Sequence, residues 1–378
     1  MASLLVQSLV AALIGGAAWA VSSMVTMGVI ALAEQRQLLA PVNHRSSHKV
    51  PVPRLGGVGI MMGILVGFLS LALVLVAGNQ LPEFLRPVDG AMPLSTLALM
   101  AGAAFGAFLL GLWDDLGNVP AAVKLVGQLV LCLVPPLLGL RLEQIHLPGM
   151  PAVIELAPAV GIPLTVLWLL AIMNAFNFMD GINGIAGRFA QVVAVGSLIG
   201  VVLYRGGETL LYLAPAIFGA CGGFLGYNVP RARTFMGDCG SQPLGLLLGL
   251  LGIHISQLPT TYPLPFIAYV VMVSPFLYDV AITLVKRLLE GRNVFQAHRE
   301  HLYQRHLIAT GEDHLRTLWF FESHHLPLVV LGTVYLLLFW RPTDAIWQAA
   351  ILGLSLIVLA HYTWQVLAAE DRNPMAVR

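Results

Sequence analysis

Apolar residues in this chain come in runs of membrane-spanning length, separated by short polar stretches. Runs long enough to cross a bilayer, roughly 17–25 residues each, fall near 3–34, 56–78, 93–112, 121–140, 160–179, 184–204, 210–229, 240–256, 264–289, 318–340 and 345–368. The pattern predicts an all-α integral membrane protein with about eleven transmembrane helices. The eighth run is short, and prolines interrupt the ninth, "YPLPFIAYVVMVSPFLYDV". Between the fourth and fifth runs, "RLEQIHLPGMPAVIEL" alternates around a Pro-Gly turn and predicts a small external hairpin.

Composition agrees with that pattern. Of 378 residues, 58% are hydrophobic and 10% charged, against roughly a quarter charged in a soluble domain. A net charge of +1 with no basic tail points away from nucleic acid. The three cysteines, Cys132, Cys221 and Cys239, lack CxxC spacing and predict neither a disulfide framework nor a zinc site. The opening "MASLLVQSLVAALIGG" has no basic n-region and reads as a retained first span. No repeat or long polar segment appears, so residues 1–378 read as a single polytopic domain.

Basic residues set the orientation. Arg86, Arg141, Arg205 and Arg341 fall in one set of loops and span ends, and the other sixteen of the 20 Lys and Arg fall in the opposite set. The expected topology has the N-terminus outside, the C-terminus in the cytoplasm, and the basic loops cytoplasmic.

Five polar stretches lie on that cytoplasmic side: "NHRSSHKVPVPRLGG" at 43–57, "WDDLGNVPAAVK" at 113–124, "NAFNFMDGINGIAG" at 174–187, "RTFMGDCGS" at 233–241 and "GRNVFQAHREHLYQRH" at 291–306. Three-residue spacing brings Asn174, Asn177, Asp180 and Asn183 near one face of a helix end and the loop beyond. Such groups are costly in hydrocarbon and are expected to face water or a ligand. Asp114, Asp115, Asp180 and Asp238 are hard oxygen ligands of the kind Mg²⁺ shares with phosphate and water. Gly237, Gly240 and Ser241 are expected to leave amide donors free at the start of the eighth span for an anion. His44, Arg45, His48, Lys49, Arg54, Lys124, Arg299 and His301 supply cations and donors for a diphosphate. This inventory points to Mg²⁺-dependent phosphoryl transfer without naming a substrate.

Each stretch alone has a plainer reading. Asp114-Asp115 fits a solvated interfacial pair, the Asn series fits interhelical hydrogen bonding, and "FMGDCGS" fits a capped turn. "HREHLYQRH" fits a basic segment meeting anionic lipid. Asp279 reads as a neutralising partner for Lys286 or Arg287, and His146, His254 and His361 read as structural or interfacial. Five such elements on one side of the membrane favour a common site. A transporter of an anionic metabolite is the alternative, although its polar site is expected near the midplane.

"NAFNFMDGINGIAG", "FMGDCGSQPLG", "GLWDDLGNVPAAVKLVGQ" and "RSSHKVPVPRLGGVGI" together resemble the polyprenyl-phosphate N-acetylhexosamine-1-phosphate transferases, which include the phospho-N-acetylmuramoyl-pentapeptide transferases. The resemblance implies transfer of a sugar 1-phosphate from a UDP-sugar to undecaprenyl phosphate, with release of UMP, at the cytoplasmic surface of the bacterial inner membrane. It implies Mg²⁺, with Mn²⁺ as a substitute, and leaves a monomer or a homodimer open. Asp238 would be the principal metal ligand, supported by Asn177 and Asp180. Asp114 and Asp115 would lie beside the lipid phosphate, Phe235 would stack on uracil, and Arg299 and His301 would contact the diphosphate or sugar. Two departures from the family stand out: Asn183 where Asp is common, and Tyr303-Gln304 where relatives cluster histidines. The second resembles the O-antigen-initiating branch that uses 6-deoxy-N-acetylhexosamines, with Tyr303 expected to face the sugar. The CDP-alcohol phosphotransferases fit less well, because Asp180-Gly181 leads into Ile-Asn-Gly-Ile rather than Ala-Arg.

Overall fold

A computed structural model describes residues 2–36, 51–77, 92–117, 119–146, 153–203, 208–258, 265–294, 296, 298–338 and 345–373. Its helices are α1 (Ala2–Gln35), α2 (Gly56–Ala77), α3 (Leu94–Gly117), α4 (Ala121–Leu137), α5 (Pro158–Met179), α6 (Ile185–Leu203), α7 (Glu208–Asn228), α8 (Asp238–Ser256), α9 (Phe266–Leu289), α10 (Leu302–Ala309), α11 (His314–Leu338) and α12 (Ala345–Arg372). Each predicted apolar run contains a helix among the described residues. Among the described residues nine of these helices are long and apolar enough to cross a membrane, and α4 and α6 are shorter apolar helices. Helices dominate because in lipid every backbone amide must find its partner within the segment. The protein is a multi-pass membrane protein.

The predicted hairpin forms where the alternation placed it. Strands β1 (Gln144–Ile145) and β2 (Ile154–Glu155) pair antiparallel, with Gln144 opposite Glu155 and Ile145 opposite Ile154. Within the ninth run α9 is unbroken from Phe266 to Leu289 despite Pro275 inside it.

The short eighth run is the helix most enclosed by its neighbours: every residue from Cys239 to Ser256 is buried. α3 and α5 flank α8 most closely, while α1 packs against α2 and α7, and α9 against α11. Small residues allow this enclosure. A Cβ at Gly245 would meet Phe176 Cβ at 2.8 Å, and one at Gly249 would meet Ile172 Cγ2 at 2.7 Å. Two ring donors close onto α8 carbonyls: Trp168 Nε1 donates to Gly249 at 3.0 Å, and the Tyr269 hydroxyl to Leu248 at 2.6 Å. The first residue of the buried helix is Asp238, so α8 carries a carboxylate into the packed end of the bundle.

Candidate active site

Four elements meet at the start of α8. Gly237 precedes it with φ of 70°, a left-handed conformation that suits glycine. A Cβ there would also overlap the Arg54 carbonyl and lie 2.5 Å from Asp115 Oδ2. Residues 234–237 are held by the end of the 43–57 stretch. Phe235 donates its amide to the Pro53 carbonyl at 2.8 Å, and Gly56 and Gly57 donate to the carbonyls of Phe235 and Met236 at 2.9 and 2.8 Å.

The Asp238 carboxylate gathers three side chains. Asn177 Nδ2, at the end of α5, donates to Oδ1 at 2.8 Å and also to Ser241 Oγ at 2.9 Å. Gln242, one turn along α8, donates to Oδ2 at 2.8 Å. The Lys124 ammonium on α4 pairs with Asp238 Oδ2 and bonds Asp114 Oδ2 at 3.0 Å. One cation therefore joins a carboxylate of α3 to one of α8. Asn174 is linked through Gln128: its Nδ2 donates to Gln128 Oε1 at 3.2 Å, and Gln128 Nε2 reaches Gln242 Oε1 at 3.4 Å.

Asp115 behaves differently from its neighbour. Its Oδ1 accepts the Asp238 amide at 3.0 Å and its Oδ2 accepts the Cys239 amide at 2.9 Å. The amides of Gly240 and Ser241 donate to the Gly237 carbonyl at 3.1 and 3.0 Å. This corrects the expectation of free donors at the start of the eighth span: a carboxylate from α3 and the preceding turn occupy them. It also separates the members of the acidic pair, since Asp115 is committed to capping α8.

Asp180 closes α5 as its C-cap. Burial, then the charges of Asp238 and Asp115, hold its carboxyl well above the usual carboxylate range. Asn183 does not join the group. Its Nδ2 donates to the Pro230 carbonyl at 3.0 Å and its amide donates to His314 Nδ1 at 3.2 Å, so it ties a loop rather than lining the carboxylates. Phe235 is half-buried three residues before Asp238, and the Arg54 side chain is exposed. His44, Arg45, His48 and Lys49 lie outside the described residues.

In and around the 291–306 stretch the structure corrects the expectations for His301, Asp279 and Tyr303, and gives Arg299 a partner within the protein. Arg299 pairs with Glu312 at 3.1 Å. His301 is buried, and its Nδ1 lies 3.0 Å from Asp279 Oδ1. Asp279 neutralises neither Lys286 nor Arg287: Arg287 pairs with Glu300 at 2.6 Å, and Asp279 accepts the first amides of α10. Tyr303 is 0% exposed, with its hydroxyl on the Phe178 carbonyl at 3.0 Å. It cannot present a face to a sugar.

Gln128 and Gln242 escaped the sequence reading as members of this region, whereas Tyr303, expected to face the sugar, lies instead against the end of α5. A signal for the first two existed, because each lies four residues after a charged residue of the cluster, Lys124 and Asp238, and so shares its helix face. Among the described residues no three His, Cys, Asp or Glu side chains converge as a metal cluster. The acidic site is built from two carboxylates around one cation, with amides filling the remaining positions.

A carboxylate–lysine–amide cluster thus sits where α3, α4, α5 and the start of α8 meet. A family model described as "Glycosyl transferase family 4" matches residues 97–256, a region that includes Asp114, Asp115, Lys124, Asn177, Asp180 and Asp238. The decaprenyl-phosphate N-acetylglucosaminephosphotransferase of Mycobacterium tuberculosis (strain ATCC 25618 / H37Rv) is 31% identical over 326 residues, 81% of this chain and 78% of that protein. The probable undecaprenyl-phosphate N-acetylglucosaminyl 1-phosphate transferase of Bacillus subtilis (strain 168) is 28% identical over 276 residues, 72% of this chain and 70% of that protein. A phospho-N-acetylmuramoyl-pentapeptide-transferase of Mycobacterium sp. (strain KMS) is 32% identical over 279 residues, 63% of this chain and 74% of that protein. The chain belongs to glycosyl transferase family 4, alongside these polyprenyl-phosphate phosphotransferases. Nothing in these comparisons supports the transporter reading.

Proposed function

We propose that this protein transfers an N-acetylhexosamine 1-phosphate from a UDP-sugar to undecaprenyl phosphate at the cytoplasmic face of the bacterial inner membrane. A phosphate oxygen of the carrier attacks the β-phosphorus of the donor, the bond from that phosphorus to the α-phosphate oxygen breaks, and UMP leaves. The product, an undecaprenyl diphosphate sugar, would start a lipid-linked surface glycan such as an O-antigen. The observation that carries this reading is the Lys124 ammonium shared by Asp114 and Asp238, within the region matched by the family. The names of the relatives supply the polyprenyl-phosphate acceptor, and the basic bias of the loops supplies the orientation.

Mg²⁺ suits the donor set. The space between Asp114 and Asp238 accepts a cation, since an ammonium sits there, and Mg²⁺ is commonly held by one or two carboxylates with water and substrate phosphates. Asp238, with Asn177 beside it, would hold the ion, and Mn²⁺ would fit the same oxygens. Such an ion would neutralise charge on the diphosphate as it is cleaved. Asp115 fixes the start of α8, Lys124 balances the two carboxylates, and Arg54 and Phe235 stand at the exposed edge for phosphate and uracil. With Tyr303 buried, preference for a 6-deoxy sugar loses the side chain proposed to carry it. N-acetylglucosamine, the sugar in the relatives' names, is the first donor to test.

The test uses purified protein, undecaprenyl phosphate, Mg²⁺ and a panel of UDP-N-acetylhexosamines and their 6-deoxy analogues. UMP release that requires both the carrier and the metal is expected, and release with no donor in the panel overturns the reading.

A further inference from the structure

Asp180 has an unusual situation for a residue beside the acidic cluster. It is flanked by the charges of Asp238 and Asp115, and no hydrogen bond to its carboxylate is seen among the described residues. Its direction therefore depends on the backbone turn that carries it. On the far side of that turn sits Tyr303. Its hydroxyl donates at 3.0 Å to the carbonyl of Phe178, one of the last-turn carbonyls that a helix end leaves without an internal partner. The same hydroxyl rests against Gly181: a Cβ at that glycine would overlap it and would lie 3.0 Å from the tyrosine Cζ.

The tyrosine is itself held from two directions. Asp279, fully buried in α9, accepts the Leu302 amide on Oδ1 at 2.9 Å and the Tyr303 amide on Oδ2 at 3.1 Å. That caps α10 from outside, as an N-cap side chain would. His301 Nδ1 shares Oδ1 at 3.0 Å, and the Tyr362 hydroxyl of α12 donates to Oδ2 at 3.1 Å. A fork from Arg305 Nε to Glu370 Oε1 at 2.8 Å ties α10 to α12 a second time. A rigid path thus runs from α9 and α12 through the start of α10 to the residue next to Asp180.

We propose that Tyr303 is a positioning residue that holds the Asp180–Gly181 turn through its hydroxyl, so that the segment after α9 sets the direction of the Asp180 carboxylate rather than reading the sugar. This rests on the phosphotransfer reading above for its kinetic consequence but not for its structural one. The experiment uses full-length protein in detergent and compares wild type, Tyr303→Phe, Gly181→Ala and the double variant. Amide exchange over residues 177–184, thermal stability, and kcat and KM for donor and carrier are measured. Tyr303→Phe should raise exchange in that segment and lower kcat about tenfold, the scale expected of a sub-ångström misplacement, with donor KM and melting temperature unchanged. Gly181→Ala should be harmful in the wild-type background and less harmful when combined with Tyr303→Phe, because the hydroxyl oxygen that its methyl meets is gone. Unchanged exchange in Tyr303→Phe, or equal damage by Gly181→Ala in both backgrounds, overturns the proposal. So does a loss of melting temperature that accounts for the loss of kcat. If wild type turns over no donor, the phosphotransfer reading fails, and the exchange measurements still decide the clamp.

Discussion

Asp115 on α3 holds the first two amides of α8, those of Asp238 and Cys239, at 3.0 and 2.9 Å. Its neighbour Asp114 instead faces the Lys124 ammonium at 3.0 Å and takes the Val119 amide at 2.9 Å. Adjacent residues on a helix point about 100° apart, so this pair reaches two different partners and should respond differently to the same substitution.

Asp115→Asn turns one acceptor into a donor that faces an amide donor. Loss of the cap should cost about 0.5–2 kcal/mol, seen as a lower melting temperature together with reduced turnover. Asp114→Asn should leave the melting temperature near wild type and lower kcat by more than about tenfold, the range of a lost electrostatic or proton-handling group. Thermal unfolding and UMP release on the two variants check this, and indistinguishable profiles would remove the division of roles.

Asp238→Asn should abolish UMP release while the protein still inserts and runs as a single species in gel filtration. Asn177, Gln242 and Lys124 all donate to this carboxylate, and an amide in its place lacks the negative charge that balances the ammonium and that Mg²⁺ favours. Near-normal turnover at saturating Mg²⁺ would exclude Asp238 from metal binding.

On the proposed reading, Mg²⁺ would compete with Lys124 for the carboxylates of Asp114 and Asp238, which the ammonium bridges. Lys124→Gln should therefore tighten the apparent affinity for Mg²⁺, since one nearby positive charge is removed, while kcat falls because the carboxylates lose their fixed counter-charge. A Mg²⁺ titration of initial rates separates the two effects. Weaker apparent Mg²⁺ binding in the variant would argue that the ion binds elsewhere.

His298, in the loop before α10, should make stability depend on acid. Burial first, then the charges of His301 and Arg287, push it down to about 4, and its buried Nδ1 has no hydrogen-bond partner among the described residues. The unfolded chain takes up this proton near the ordinary histidine value of about 6.5, whereas the folded protein does not until about 4. Within that window the unfolded state binds more protons, so stability falls as pH falls and is level above it. The melting temperature followed from pH 8 to pH 4 should show this slope, and His298→Gln should flatten it. An equal slope in the variant would assign the effect to another group, with His306, also pushed down to about 4, tested next.

The sequence alone determined where the helices lie and which polar segments matter. An apolar run in lipid has one main way to satisfy its amides, so "GGVGIMMGILVGFLSLALVLVA" is helical whatever surrounds it. The hairpin at Gln144 and Ile154 followed from partial alternation around a Pro-Gly pair in the same local way. Asp114, Lys124, Asn177 and Asp238 stood out because charge and amide groups at the ends of such runs are expensive unless used. Tertiary packing decided what each of those groups touches. No local pattern distinguishes Asp115 from Asp114, or marks Asp279 as the cap of a helix 23 residues further on, because both depend on which neighbour presents bare amides. Tyr303 looks like a surface residue within "HREHLYQRH", and only the meeting of α9, α12 and the end of α5 buries it. The enclosure of α8 is of the same kind: its glycines permit close approach, but that α3 and α5 both use them is a property of the assembled bundle.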